Sequence, residues 1–124
     1  MSSIRTFAIH NEVDLVTARM HVRETARHLG MSLTDQSRIS LATSSLANAL
    51  GLGREGKADG RVVVDTLQNG ARQGLRVVCT RNDCGGYTPP LSYFGNERWM
   101  VDELELRSIS SDEVEVTMIK WVNR

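Results

Sequence analysis

The stretch Ser32–Leu50, with the sequence SLTDQSRISLATSSLANAL, decides the fold because it carries the local signals of one long helix. Ser32 can cap the helix, and Asp35 three residues later fits the pattern of a capping box. Gly51 and Gly53 follow and are expected to end the helix. Spacings of three, four and three predict one apolar stripe facing a core. Its members are Ile39, Ala42, Leu46 and Ala49.

The composition of the whole chain limits the class of protein to which it can belong. A chain of 124 residues suits one domain, 1–124, with one core, and 40% hydrophobic residues is ordinary for a soluble protein. Fifteen Lys and Arg balance fifteen Asp and Glu, so nothing indicates a nucleic-acid or anionic-membrane partner. No apolar run approaches the roughly 20 residues of a membrane span, and the N-terminus lacks a signal-peptide pattern. Cys79 and Cys84 are therefore expected to be reduced thiols in the cytoplasm.

Upstream of the long helix, the sequence predicts a strand and a first helix. Residues alternate along Ser3–Ile9, which is typical of a strand. Asn11 can cap a helix that runs to about Leu29, and Gly30 can end it. The side chains that we expect to face the core from this helix are Val13, Val16, Met20 and Leu29.

Downstream, four segments are predicted to form strands, the first two being an antiparallel pair around a turn that begins at Asn69-Gly70. These segments are Arg61–Gln68, Leu75–Arg81, Leu104–Ile109 and Val114–Val122. The segment Leu91–Val101 is short and is predicted to be helical near its end. This order of elements predicts an α+β two-layer sandwich, with helices on one face of a mixed sheet.

The same order resembles the ATP-binding domain of the GHKL (Bergerat-fold) superfamily. The segments Thr17–Arg19, Ala26–Met31 and Thr34–Ile39 are similar to the RsbT-type serine kinases of bacterial partner switching and their anti-sigma relatives. Two C-terminal segments agree, Val101–Leu106 and Val114–Trp121, the second of which ends in Lys-Trp. The resemblance implies the histidine-kinase-like ATPase fold and a role in sigma-factor or stress-response signalling.

The first ATP motif of this family is Glu-Leu-x-x-Asn on the long helix. The resemblance implies that the Glu acts as base or orients the attacking group, and that the Asn binds the Mg²⁺ that bridges the phosphates. This sequence has Ser45 at the Glu position and Ala49 at the Asn position, and neither side chain can do that chemistry. Asn48 is adjacent, but one residue along a helix turns a side chain by about 100°, so we expect it to point away.

The other two ATP motifs are also degenerate. In the family, Asp-x-Gly-x-Gly follows a strand and its Asp accepts the adenine amino group. Here Arg81 stands at the Asp position, Asp83 replaces the first glycine, and Gly85 remains. The glycine-rich lid that would hold the phosphates is missing, because Gly95 is the only glycine between Pro90 and Trp99. Three losses predict a kinase-dead member, a pseudokinase without ATP, Mg²⁺ or any other cofactor.

Three histidines and two cysteines raise the question of a metal site. His21 and His28 lie seven residues apart on the first helix, and His10 or the two cysteines could join them. Surface histidines with a buried strand cysteine, Cys79, are the preferred interpretation, so no metal is predicted. Cys84 is either a reactive thiol or, as we prefer, a plain loop cysteine.

Three hypotheses for function follow. The first is a non-catalytic regulator that binds a STAS-domain antagonist, a sigma factor or a PPM-type phosphatase. The second is an active serine kinase that uses Asn48 for Mg²⁺ and Asp83 for adenine, and the third is a homodimerisation module. An apolar patch is expected where the lid would have been, and it either fills the vacated nucleotide pocket or binds the partner. Its members are Tyr93, Phe94, Trp99 and Met100. The candidate partner-binding residues are Arg19, Arg23, Arg27, Arg54, Glu55, Tyr93, Phe94 and Trp99.

Overall fold

The structure is a computed structural model, and it describes residues 4–52, 59–82 and 95–122. Within these residues, five strands and three helices follow one another in the predicted order. They are β1 (Arg5–Ile9), α1 (Glu12–His28), α2 (Leu33–Ala49), β2 (Asp59–Asn69), β3 (Arg72–Asn82), α3 (Gly95–Met100), β4 (Glu103–Ser108) and β5 (Val114–Trp121). Each predicted strand and helix is therefore confirmed, with ends that differ by a few residues.

The strands form one sheet in the order β1-β2-β3-β5-β4. All four neighbouring pairs are antiparallel, so the α+β sandwich is confirmed but the sheet is not mixed. Two of the pairs, β2–β3 and β4–β5, are hairpins, whose short connections permit only the antiparallel direction. Gly70 adopts φ +62° in the β2–β3 turn, a conformation that glycine reaches without a steric penalty.

The core lies between the sheet and the helices. The inward side chains of β2, β3 and β5 alternate with outward ones and are almost fully buried, as the twofold periodicity of strands requires. On α2, Ile39, Ala42 and Leu46 are completely buried, which confirms the predicted stripe. Ala49, at the end of that stripe, is half-buried and packs against the edge of the core.

The orientation of α1 differs from the prediction. Val13, Val16 and Met20 are exposed to 72%, 42% and 65%, so their assignment to the core is wrong. The buried side chains of this helix are Leu15, Ala18, Val22 and Ala26. Two stripes on α1 have helical spacing, and the one with two alanines is buried, because small side chains let the helix approach its neighbours closely. Leu29, the fourth predicted residue, is half-buried and packs against the core.

The predicted helix ends are present in the structure. Asn11 Oδ1 accepts a hydrogen bond from the Asp14 amide at 2.9 Å, and Ser32 Oγ accepts one from the Asp35 amide at 3.1 Å. Gly30 and Gly51 follow the two helices with φ of +86° and +80°, which allows the chain to leave each helix. Gly53 lies outside the described residues. Among those residues, no helix combines the length and the apolar character that crossing a membrane would require.

Candidate functional site

The face of α2 that carries Ser45 and Ala49 turns towards α3. Both side chains are half-buried, and Ser45 Oγ donates a hydrogen bond to Glu97 Oε1 at 2.5 Å. Asn48 is exposed, as expected for a residue one step further around the helix. The candidate site therefore contains Ser45 and Ala49 from α2, with a carboxylate that α3 contributes.

Glu97 is the residue of this site that the sequence analysis missed. Its side chain is only 4% exposed, although carboxylates are rarely buried without a partner. The Ser45 hydroxyl supplies one hydrogen bond that offsets the cost of burying the charge. The two residues are 52 positions apart in the sequence, so no local pattern marks Glu97. A carboxylate thus lies beside Ser45, where the resemblance would place the Glu of the first ATP motif, but it comes from another helix.

Arg81 links the end of β3 to the end of α2. Its Nη1 donates a hydrogen bond to the carbonyl oxygen of Leu50, the C-cap residue of α2, at 2.9 Å. Guanidinium groups have donors and no acceptor, so this side chain cannot take over the role of an adenine-binding carboxylate. Asp83 and Gly85, the other degenerate positions of the second motif, lie outside the described residues.

Lys120 of β5 contacts one carboxylate on α2 and another in the segment that precedes β4. Its Nζ lies 3.6 Å from Asp35 Oδ1 and 3.6 Å from Asp102 Oδ1, and the lysine is buried. Asp102 Oδ2 also accepts a hydrogen bond from the Trp121 amide at 2.7 Å. Residues from three of the segments that carry the family resemblance therefore meet in one cluster, in which Lys120 and Asp35 are buried and Asp102 is exposed. Its position between helix and strands indicates a role in holding the fold together.

The predicted partner-binding residues are distributed over two helices. Arg19 Nη1 donates to Ser44 Oγ at 3.4 Å and so lies between α1 and α2. Arg23 is exposed, and Arg27 pairs with Glu24 at 2.5 Å. Trp99 is 88% exposed, so it does not fill the vacated pocket. The remaining predicted residues, Arg54, Glu55, Tyr93 and Phe94, lie outside the described part of the chain.

Cys79 and the histidines do not come together in the structure. Cys79 is buried in β3, and burial raises the pKa of its thiol to about 12, which keeps it protonated at neutral pH. Burial also lowers the pKa of His21, which stacks at an angle against Phe7. Within the described residues, no group of three or more His, Cys, Asp or Glu could hold a metal ion. Cys84 lies outside them.

Comparisons with known proteins bear on the fold and on the family resemblance. No protein-family model matches the sequence. The chain is 27% identical over 129 residues to the serine/threonine-protein kinase RsbT of Bacillus subtilis (strain 168), which covers 92% of this chain and 93% of RsbT. The resemblance to the RsbT-type kinases is thereby confirmed.

A solved structure supports the same conclusion for the fold. The chain matches the crystal structure of the RsbU and RsbW domains of Rv1364c from Mycobacterium tuberculosis with a TM-score of 0.69 and 18% sequence identity. The match covers 100% of this chain and 33% of the other, so the chain spans about a third of that protein's length. The α+β architecture of this chain is therefore also found in that protein.

Proposed function

We propose that this relative of the RsbT-type switch kinases is a regulator in a bacterial partner-switching pathway, and that it acts by binding a protein partner without using ATP. The similarity to RsbT over 92% of the chain supports the pathway. The partner classes that the resemblance implies are a STAS-domain antagonist, a sigma factor and a PPM-type phosphatase. The side chains of the candidate site support a function that does not require ATP.

The observation that carries this proposal is the contact between Arg81 and α2. By resemblance, Arg81 stands where the related kinases hold the carboxylate that accepts the adenine amino group. Its guanidinium donates to the Leu50 carbonyl at 2.9 Å instead. An adenine amino group at this point would meet another donor, and an unpaired buried polar group costs about 1–3 kcal/mol.

The phosphate side of the site supports the same proposal. Ala49 has no oxygen with which to hold Mg²⁺, so the charge of a triphosphate would stay uncompensated. Glu97 adds a buried carboxylate against α2, hydrogen-bonded to Ser45. Like charges in a poorly solvated site repel strongly, which disfavours a bound triphosphate further.

A second candidate function, an active serine kinase, is favoured by one observation. Glu97 places a carboxylate beside Ser45, where the resemblance puts the catalytic base of the kinases. A carboxylate can act as general base towards a substrate hydroxyl that comes within hydrogen-bond distance of it. This candidate requires ATP binding, so one experiment separates the two functions.

That experiment is thermal melting with and without millimolar Mg²⁺-ATP. We expect no shift in Tm, because a ligand that does not bind the folded state adds no stability. A ligand at about 100 times its Kd would add about 2.7 kcal/mol, which is several degrees for a chain of this size. An upward shift that EDTA abolishes, together with phosphorylation of a protein substrate that is lost in Glu97→Gln, would establish the kinase instead.

A further inference from the structure

Strand β4 is an edge of the sheet, and within residues 4–52, 59–82 and 95–122 no strand pairs with its outer side. The Ile109 amide, one residue after β4, donates to the Glu113 carbonyl at 2.9 Å, next to the β4–β5 pairing. Since backbone groups point to alternate sides of a strand, the odd-numbered residues of β4 bond to β5. The N–H and C=O groups of Leu104, Leu106 and Ser108 therefore point to the outer side, which we call the open edge.

The side chains of β4 form a charged row and an apolar row along the open edge. Glu103, Glu105 and Arg107 lie on the face of the sheet away from the helices and are exposed. Leu104 and Leu106 lie on the helix side, where they pack against the core and stay half-buried. Within the part of the chain that the structure describes, Glu105 and Arg107 take part in no ion pair. Two opposite charges two residues apart are thus available at this edge.

We propose that β4 pairs antiparallel with β4 of a second copy of this chain, about a two-fold axis at Leu106, so that the two five-stranded sheets become continuous. In this register Leu106 faces Leu106 of the second copy. On each side of the axis, Glu105 faces Arg107 and Leu104 faces Ser108. The inference goes beyond the proposed function and does not depend on it, because the contact uses neither the candidate site nor ATP.

Charge selects this register among the two-fold axes that residues 103–108 allow. Side chains that face each other lie on the same face of the sheet, so each axis passes through one residue. An axis at Glu105 places Glu105 opposite itself, and an axis at Arg107 places Arg107 opposite itself. An axis at Leu104 places Glu103 opposite Glu105 twice. Like charges directly opposite each other are destabilising, and of these axes only the one at Leu106 combines two Glu–Arg pairs with no such opposition.

The backbone of the open edge fits the same register. The residues that face each other with their N–H and C=O groups towards the second copy are Leu104, Leu106 and Ser108. Leu106 can therefore exchange two hydrogen bonds with its copy, and Leu104 can exchange two with Ser108 on each side. The edge of one short strand is small beside the roughly 800 Å² per partner of a standard interface. We therefore expect a weak dimer whose population rises with protein concentration.

The charges on β4 favour a second copy as the occupant of the open edge. Proteins commonly protect edge strands with charges that repel a further strand, but opposite charges two residues apart attract their own copy. A two-fold axis brings each Glu105 to an Arg107 automatically, because both copies present the same surface. The other edge of the sheet offers no such match. Strand β1 contains a single charged residue, Arg5, so it cannot form an ion pair with β1 of another copy.

The test is sedimentation velocity of the full chain over a concentration series, without nucleotide. Glu105→Arg would place arginine opposite arginine, and Arg107→Glu would place glutamate opposite glutamate. Each variant should weaken the dimer by about tenfold or more, because two attractions become two repulsions. An equimolar mixture of the two variants should dimerise again, since the new arginine of one chain then faces the new glutamate of the other. The double variant Glu105→Arg/Arg107→Glu should dimerise by itself for the same reason.

Two controls separate lost pairing from lost folding. Glu12→Arg makes the same charge reversal at an exposed position on α1 and should leave the dimer unchanged. Arg107 also faces Glu115 of its own chain, so thermal melting of Arg107→Glu shows what the variant costs in stability. Mixing with Glu105→Arg restores a lost pairing between chains, but it does not repair a misfolded chain.

Several results would overturn the inference. One is a wild-type chain that stays monomeric up to about 1 mM. Another is a dimer that neither charge reversal weakens, or one that Glu12→Arg weakens as much as Glu105→Arg does. A mixture of the two folded variants that stays monomeric would also contradict the pairing of Glu105 with Arg107. Dimerisation of Arg107→Glu mixed with Glu105→Arg, while neither variant dimerises alone, is the result that supports it.

Discussion

At the scale of single residues, Leu46 shows how the core supports the site. It is completely buried in the middle of α2, one position after Ser45. We expect Leu46→Ala to lower the free energy of unfolding by about 2–5 kcal/mol, because the lost side chain leaves a cavity. Leu41→Ala makes the same change on the exposed side of α2 and should cost no more than about 0.5 kcal/mol. Equal costs in urea denaturation would contradict the assignment of the buried stripe.

The Ser45–Glu97 hydrogen bond is the second prediction at this scale. Ser45→Ala removes the donor and leaves the buried carboxylate without that hydrogen bond, so we expect a loss of about 1–3 kcal/mol. Ser45→Ala/Glu97→Met should be more stable than Ser45→Ala alone, because no buried charge then remains. Denaturant melts of both variants, with the exposed Ser37→Ala as control, test this. A double variant less stable than the single one would show that Glu97 is held in another way.

At the scale of elements, the cluster around Lys120 connects α2 and β5 to Asp102, the residue that precedes β4. Lys120→Met would leave Asp35, which is 7% exposed, as a buried charge with less compensation. Removing one partner of a buried ion pair costs about 3–5 kcal/mol. Arg38→Met is the matched control, because Arg38 lies 3.7 Å from the same carboxylate but is exposed, so about 0–1 kcal/mol is expected. Urea unfolding of the two variants measures the difference, and similar values would mean that Lys120 contributes no more than a surface charge.

At the scale of the whole molecule, the prediction concerns how the regulator would be switched. We expect affinity for the protein partner to be the same with and without Mg²⁺-ATP, because a ligand that does not bind shifts no equilibrium. Isothermal titration of the purified partner with and without Mg²⁺-ATP measures this affinity. Repeating the nucleotide-free titration with EDTA shows whether Mg²⁺ alone changes it. A severalfold change in Kd that requires the nucleotide would show that the ATP site still couples to partner binding.

The sequence alone predicts the local elements and the residues that replace the family's motif side chains. Caps, glycines and periodicity depend on residues within one or two turns of each other, so Ser32, Gly51 and the stripe through Leu46 were found without a structure. The replacements Ser45, Ala49 and Arg81 can also be recognised in the sequence, because the functional groups of a side chain do not depend on the fold. The antiparallel direction of the β1–β2 and β3–β5 pairs could not be predicted in this way, since these pairs join segments that are distant in the sequence.

Only the tertiary structure decided which faces and which distant residues meet. Val13, Val16 and Met20 have the spacing of a core stripe, yet the alanine-containing face of α1 is buried, because close packing and not hydrophobicity alone selects the face. Glu97 lies 52 positions from Ser45, and Arg81 lies 31 positions from Leu50. Such contacts form where packed elements bring side chains together, and no periodic pattern in the sequence encodes them.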